Sequence, residues 1–183
     1  MIKKRIIGEK IVIVGTTGSG KTTFAGRLSV LTGIPHFELD GLFWKPDWQE
    51  APREEFREKI ISVTDKSKWI IDGNYAWNQD ITIGRADTVI WLDCSKLLSL
   101  YRVLTRSLRR IINKKPLWQN NKESLIRIIS PKNSILFFAW RSYIKKKNRY
   151  NKLFAGESTL NLIRITGKRD ENEFWNNLKK NPA

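Results

Sequence analysis

Short apolar runs recur along the chain, and most of them end in glycine or aspartate. The clearest is residues 11–14, which are rich in β-branched side chains and run directly into Gly15. Similar runs are residues 69–71, ending at Asp72 and Gly73; residues 88–92, ending at Asp93; residues 161–165, ending at Thr166 and Gly167; and, more weakly, residues 36–39, ending at Asp40. Continuous runs of this length are typical of strands buried in a parallel sheet.

Amphipathic segments with helical periodicity lie between these runs. They cover residues 22–31, 53–64, 97–112 and 171–178, and Pro52 precedes the second at a position that suits a helix start. Strands that alternate with helices predict an α/β domain with a mostly parallel, five-stranded sheet between helical layers. Ligands bind at the carboxyl ends of the strands in such a sheet, where this chain concentrates its polar residues.

One region interrupts the alternation. Residues 113–133 contain Pro116 and Pro131 together with several Asn and Lys, and a basic amphipathic stretch follows over residues 134–150. We interpret residues 113–150 as a basic helical lid or insertion. The whole chain of 183 residues has the usual length of one domain, so we expect a single domain over residues 1–183.

Positive charge is concentrated in the same region. The chain carries a net charge of +16, and residues 101–150 hold fourteen lysines and arginines against one acid, Glu123. A basic block of this kind indicates an anionic partner such as a phosphate group or a nucleic acid. The single cysteine, Cys94, excludes an intrachain disulfide and a zinc site built on cysteines, and the apolar run at residues 135–140 is too short to span a bilayer. We therefore expect a cytoplasmic protein.

The turn after the first strand carries the most specific motif. Residues 15–22 match Gly-x-x-x-x-Gly-Lys-Ser/Thr in full, between a predicted strand and a predicted helix. Glycines allow the backbone N–H groups to converge on phosphate oxygens, and the following helix directs its positive end at the same anion. The predicted nucleotide-binding residues here are Gly15, Thr16, Thr17, Gly18, Ser19, Gly20, Lys21, Thr22 and Thr23. Lys21 is expected on the β- and γ-phosphates, and Thr22 on Mg²⁺.

Carboxylates after the strands are candidates for the remaining chemistry. Asp72 is the first choice for positioning Mg²⁺, because Gly73 allows the chain to approach a ligand closely. Asp40 is the candidate for orienting or deprotonating an acceptor. Aspartate is also common in turns and helix caps, and that structural role is the preferred interpretation of Asp93.

Arginines recur on one face of the third predicted helix. Arg102, Arg106, Arg109 and Arg110 lie three and four residues apart, without intervening acids, so several project together. We predict that Arg102, Arg106 and Arg110 contact phosphates, with Arg141 as a second clamp; a solvated helix face is the alternative.

Aromatic residues and the single histidine divide between stacking and structural roles. Trp44 and Trp48 lie in a loop, where an aromatic ring can stack on a base or ring. Three further tryptophans, Trp69, Trp91 and Trp175, and the only histidine, His36, are interpreted as structural.

Several of these segments together resemble a known family. The chain is similar to bacterial adenylate-kinase-like P-loop proteins, including topology modulation (FlaR-type) proteins. The similarity lies in residues 15–22, which form the P-loop motif, and in residues 39–44, 69–75, 85–93 and 117–124. The resemblance implies a nucleoside monophosphate kinase-like P-loop NTPase fold, with a lid over the phosphates and residues Lys168 and Arg169 beside the adenine. The chain lacks the Pro-Arg pair that adenylate kinases carry after Asp-Gly, and Arg85 is the candidate for a related role in acceptor binding.

Two main functions remain open. The first is an ATP- and Mg²⁺-dependent kinase of a small, nucleotide-like acceptor, with the basic block as a lid. The second is a nucleotide-dependent nucleic-acid-binding regulator in which Phe137, Trp140 or Tyr143 stacks on bases. A membrane-surface role of residues 135–149 is a third possibility.

Overall fold

A five-stranded parallel sheet forms the centre of the fold. The computed structural model describes residues 6–114, 116–122, 134–156 and 158–180. The strands are β1 (Lys10–Gly15), β2 (His36–Glu38), β3 (Trp69–Asp72), β4 (Thr88–Leu92) and β5 (Asn161–Ile165). Their order is β2-β3-β1-β4-β5, and every neighbouring pair is parallel. The five strands predicted from the apolar runs are all present, and the predicted fold class is confirmed.

The register of the sheet aligns the carboxyl ends of four strands. Ile13 pairs with Asp72, and Glu38 on the edge strand also pairs with Asp72. On the other side of β1, Gly15 pairs with Leu92. Since all strands run in the same direction, the carboxyl ends of β1, β2, β3 and β4 meet at one edge of the sheet, where a ligand is expected.

Helices cover both faces of the sheet. They are α1 (Lys21–Thr32), α2 (Leu39–Phe43), α3 (Arg53–Thr64), α4 (Gln79–Thr82), α5 (Lys96–Ile112), α6 (Ile135–Ala155) and α7 (Lys168–Lys180). On one face, Phe24 of α1 and Trp175 of α7 pack around Ile11 and Ile13. On the other face, side chains that include Phe56 and Tyr150 pack around Val12 and Val14. The result is a three-layer α/β domain.

The second strand is shorter than the sequence indicates. Residues 36–39 were predicted as a strand, but β2 ends at Glu38 and Leu39 begins α2. Leu39 is buried against Gly73, and a Cβ on Gly73 would lie 2.6 Å from the Leu39 Cβ. Asp40 therefore stands in the first turn of a short helix instead of following a strand.

The basic stretch after the predicted insertion is an integral helix of the domain. Residues Tyr143 and Tyr150 of α6 are buried, and the Tyr143 hydroxyl donates to the Cys94 carbonyl at 2.9 Å. Much of the preceding insertion, residues 123–133 together with Lys115, lies outside the described residues. Among the helices in the described ranges, none is long and apolar enough to cross a membrane.

Candidate active site

The P-loop has the backbone geometry of an anion cradle. It leaves β1 at Gly15 and enters α1 at Lys21, and its glycines Gly18 and Gly20 have φ angles of 82° and 97°. A Cβ on Gly18 would lie 2.3 Å from the Ser99 carbonyl oxygen, so α5 packs directly against the loop. Non-glycine residues are strained at such angles. These positions allow the loop to curl at the positive end of α1, where an anion is stabilised.

Lys21 lies folded back over the loop. Its Nζ donates to the Gly15 carbonyl at 3.2 Å and to the Thr16 carbonyl at 2.9 Å. Burial lowers the pKa of Lys21, while Asp72 and Asp40 nearby act in the opposite direction. The charged amine therefore stands in a poorly solvated position that a bound anion would stabilise.

A second lysine, which the sequence analysis did not single out, reaches the same loop. Lys146 of α6 is 7% exposed, and its Nζ donates to the Thr17 hydroxyl at 3.1 Å. The amine also lies 4.6 Å from the centre of the Phe138 ring. Burial, and then the charge of Lys21, lower the pKa of Lys146 to about 8. The P-loop thus carries two buried amines from distant parts of the chain.

A hydrogen-bonded chain joins α6 to the start of the P-loop. The Tyr150 hydroxyl donates to Asn74 Oδ1 at 2.7 Å, and Asn74 Nδ2 donates to the Gly15 carbonyl at 2.7 Å. Burial raises the pKa of Tyr150 to about 12, so the phenol keeps the proton that it donates. Helix α6 and the segment after β3 are therefore fixed to the cradle.

The arginines of α5 line the same cleft. Arg102 donates from Nη1 to the Ser19 carbonyl at 3.2 Å, and Arg106 is close enough to Lys21 to contribute to lowering its pKa. Arg109 and Arg110 also line the cleft. The structure thus brings the three arginines predicted to contact phosphates, Arg102, Arg106 and Arg110, to one opening.

Two other arginines lie elsewhere than the sequence analysis expected. Arg141 is exposed, and its guanidinium lies 5.4 Å from the Phe137 ring, because this position faces away from the cleft-lining side of α6. It does not act as a second clamp in this arrangement. Arg85 pairs with Asp65 and donates to Thr64 at the end of α3, so it fastens two surface segments together instead of contacting the acceptor region.

Two carboxylates face the P-loop. Asp72, at the end of β3, is 4% exposed, and its Oδ2 has no hydrogen-bond partner among the described residues. His36 Nε2 lies 3.6 Å from that oxygen, which is within ion-pair range but too far for a hydrogen bond. The histidine interpreted as structural therefore stands beside the candidate metal carboxylate. Asp40 accepts a hydrogen bond from the Tyr75 hydroxyl at 2.7 Å, and burial together with Asp40 raises the pKa of Tyr75.

The residues present fit a magnesium ion that enters with a nucleotide. Within the described ranges, no three His, Cys, Asp or Glu side chains are grouped as a metal site. Mg²⁺ commonly uses one or two protein ligands and fills its remaining positions with phosphate oxygens and water. Thr22 and Asp72 both line the cleft, and the unpartnered Asp72 Oδ2 suits a ligand of this kind.

The loop between β5 and α7, predicted to lie beside the adenine, also borders the cleft. Thr166, Gly167 and Lys168, between β5 and the first turn of α7, line the cleft, as does Glu171. Arg169, predicted to lie beside the adenine, is exposed and is absent from the described cleft lining. Adjacent residues at a helix start project in different directions, which explains why only Lys168 faces the opening.

Other positions have structural roles that the sequence left open. Thr16 was predicted to bind the cofactor. Its buried hydroxyl lies 2.9 Å from the Ser99 hydroxyl, so its side chain connects the P-loop to α5. Asp93 is not the cap of α5, because Ser95 accepts from the Leu98 N–H there; Asp93 instead pairs with Arg164 and, at 3.2 Å, with Lys147. The tryptophans assigned to the core are buried, namely Trp69, Trp91 and Trp175.

The sheet, its helices and the loop together form the shikimate-kinase-like P-loop NTPase fold. The cleft at the carboxyl edge of the sheet has a volume of about 1860 Å³ and is open to solvent. No protein-family model and no curated protein sequence matches the chain. The fold is shared with solved structures. A shikimate kinase from Acinetobacter baumannii in complex with shikimate has a TM-score of 0.53 and 14% identity, with 96% of each chain covered.

A second solved structure gives the same result. A sugar kinase from a Janibacter species, in an unliganded state, has a TM-score of 0.50 and 16% identity over 92% of this chain and 91% of that one. At these identities the similarity establishes the fold. The narrower resemblance to adenylate-kinase-like and topology modulation proteins stays a prediction.

Proposed function

We propose that the protein is an ATP- and Mg²⁺-dependent kinase that transfers a phosphoryl group to a hydroxyl of a small acceptor. The observation that carries this proposal is the opposition of charges across one cleft. Lys21, Lys146 and Arg102 reach the P-loop from three helices. Asp40 and Asp72 face them from the other side. Phosphoryl transfer depends mainly on positioning and on stabilising charge, and this arrangement supplies both.

Each group has a definite role in the transfer. The acceptor oxygen attacks the γ-phosphorus, the bond to the β-phosphate bridging oxygen breaks, and ADP leaves with those electrons. Asp40 takes the hydroxyl proton, and Tyr75 holds that carboxylate in place through its 2.7 Å hydrogen bond. Lys21, Lys146 and the arginines of α5 stabilise the phosphate charge. Thr22 and Asp72 would hold a Mg²⁺ ion that enters with the nucleotide, and that ion would supply further positive charge to the phosphates.

The placement of the basic residues favours this function over nucleic-acid binding. Seven basic side chains of α5 and α6 line the cleft, which are Arg102, Arg106, Arg109, Arg110, Lys145, Lys146 and Arg149. Tyr143, one of the three aromatics proposed to stack on bases, is buried, and its hydroxyl donates a hydrogen bond to the Cys94 carbonyl. A surface that binds a polynucleotide needs cations and aromatic rings facing outward along the strand. The names of the solved structures with this fold, a sugar kinase and a shikimate kinase, also favour a small-molecule acceptor.

Substitution of the P-loop lysine tests the proposal. Lys21→Ala removes the amine that contacts the loop carbonyls, and we expect it to reduce ADP release with any acceptor by at least about a hundredfold. Lys179→Ala, an exposed position near the end of α7, is the matched control and should leave turnover unchanged. Equal turnover in wild type and Lys21→Ala would refute the assignment.

A further inference from the structure

The wall of the cleft opposite the P-loop is lined by acidic side chains. Among the described residues that line the cleft, the lysines and arginines belong to the P-loop and α1, α5, α6 or the start of α7. Residues 38–77 contribute four carboxylates to the lining, Glu38, Asp40, Glu50 and Asp72, and no lysine or arginine. The cleft therefore has a cationic wall for the triphosphate and an acidic wall where the acceptor has to lie.

None of these four carboxylates forms an ion pair with a described lysine or arginine. The protein has a net charge of +16, and several acids outside the cleft do form such pairs, as Glu55 does with Lys45 and Lys59 at 2.6 and 2.7 Å. In the described part of the chain, no lysine or arginine lies within ion-pair distance of Glu38, Asp40, Glu50 or Asp72. A cation supplied by a bound ligand would compensate the negative charge of this wall.

Two further observations point to a ligand. Asp72 is 96% buried, since its exposed fraction is 4%, yet its Oδ2 has no hydrogen-bond partner in the described structure. Glu38 is paired with Asp72 on the neighbouring strand, and its carboxylate accepts from Trp118 Nε1 at 3.0 Å. The acidic groups therefore repel one another, and a positive charge between them would relieve that repulsion.

Aromatic rings complete the acidic wall. Five side chains from two segments line it, namely Trp44, Trp48, Tyr75, Trp77 and Trp118. Asn121 fastens the second segment to the first, because its Oδ1 accepts from the Trp48 N–H at 2.8 Å and its Nδ2 donates to the Lys45 carbonyl at 2.9 Å. Aromatic faces beside carboxylates are a recurrent way of binding organic ammonium ions.

We infer that the acceptor is a small aminated alcohol, which binds with its protonated amine against the acidic and aromatic wall and its hydroxyl toward Asp40. The inference rests on the proposed kinase function and narrows its acceptor. It disfavours phosphorylated and carboxylated acceptors, including the nucleotide-like acceptor predicted from the sequence, because their anions would face carboxylates on a wall where the described lining residues include no lysine or arginine. A neutral acceptor would leave Glu38 and Glu50 uncompensated, since Asp72 is the proposed Mg²⁺ ligand and Asp40 the proposed base.

The test compares acceptors of similar size and different charge. Glucosamine, glucose and glucuronate share one ring and are cationic, neutral and anionic; choline and 3,3-dimethyl-1-butanol form a second, smaller matched pair. Each is titrated into the protein by calorimetry, with and without Mg²⁺ and a non-hydrolysable ATP analogue. We expect each amine to bind about 2- to 30-fold more tightly than its neutral partner, and glucuronate to bind more weakly than glucose.

A variant locates the effect on the acidic wall. Glu50→Gln keeps the shape of an exposed side chain and removes its charge, so we expect amine affinity to fall roughly two- to fivefold while glucose affinity is unchanged. Glu173→Gln, exposed on α7, is the control and should change neither. Equal or tighter binding of the neutral or anionic compounds, or no binding of either amine, would overturn the inference.

The two proposals fail in different ways. Absence of heat on titration of Mg²⁺ and the ATP analogue alone, or ADP release that survives Lys21→Ala, contradicts the kinase function. Binding of the analogue together with a preference for anionic acceptors leaves the kinase function standing and rejects only the aminated acceptor.

Discussion

Replacement of Lys146 by methionine should raise the free energy of unfolding of the nucleotide-free protein and weaken the binding of nucleotide. Lys146 is 7% exposed and donates to Thr17 next to Lys21, so its charge is held in an unfavourable place until an anion binds. Methionine keeps an unbranched side chain of similar length that can pack against Phe138, and it removes the charge.

The size of the effect follows from the pKa of this group. The fall from 10.5 to about 8 corresponds to about 3 kcal/mol, at 1.36 kcal/mol for each unit. Between these two values the unfolded chain holds a proton that the folded chain has released, so the stability of the wild type should rise with pH across this window. Below pH 8 the full penalty applies, and there Lys146→Met should raise the free energy of unfolding by up to about 3 kcal/mol.

Nucleotide affinity should change in the opposite direction. A bound triphosphate favours the protonated amine, so wild-type affinity should fall about fivefold between pH 8 and pH 9, as the nucleotide-free protein loses that proton. Lys146→Met should bind more weakly at pH 7 and lack this part of the pH dependence, whereas Lys146→Arg, which stays charged, should lack only the pH step. Because Lys21 titrates in all three proteins, only the differences between them are informative.

Urea unfolding and calorimetric titration of the ATP analogue between pH 6.5 and 10 measure both effects. The explanation fails if Lys146→Met is no more stable than wild type at pH 7 and binds the analogue equally well. A variant that is destabilised but still shows the wild-type pH step would also contradict it.

Three further predictions concern the carboxylate, the loop and the basic helices. Asp72→Asn should lower turnover by about 10²- to 10³-fold and weaken its dependence on Mg²⁺, and an unchanged Mg²⁺ titration would count against a metal role. Gly18→Ala should reduce the free energy of unfolding by about 1–3 kcal/mol, because φ is +82° and the new methyl would lie 2.3 Å from Ser99 O; Gly26→Ala, with open space around its Cβ, should be neutral or slightly stabilising. DNA affinity, measured by fluorescence anisotropy, should be weak at about 150 mM salt, and tight binding with a log–log salt slope of several units would favour the nucleic-acid function.

The sheet and the P-loop were accessible from the sequence because their signals are local. Buried parallel strands are continuous apolar runs, and all five strands were located to within about two residues at either end. The P-loop was recognisable because glycines, lysine and threonine follow a strand at fixed spacing. The end of β2 was placed wrongly because Leu39 is apolar in either a strand or a helix, and only its packing on Gly73 decides between them.

The residues that complete the site were less accessible, because they depend on contacts between distant segments. Lys145, Lys146 and Lys147 are consecutive, and the sequence does not show which amine is buried at the P-loop and which pairs with Asp93. Asn74 lay within a recognised motif, but its role depends on Tyr150, which is 76 residues away. The acidic and aromatic wall likewise brings residues 38–77 beside Trp118, a proximity that no periodicity encodes.

The double attachment of α6 sets a limit on engineering this scaffold. Tyr150 fills the core and holds Asn74, while Lys146 reaches Thr17 on the same helix. A chimera that exchanges the lid with another enzyme therefore has to retain this helix, and its junctions belong outside residues 135–155. Exchanging the lid together with residues 135–155 would remove Tyr150 from the core and also remove the hydrogen bonds that hold Asn74 and Thr17. Substrate specificity is therefore better altered on the wall formed by residues 38–77.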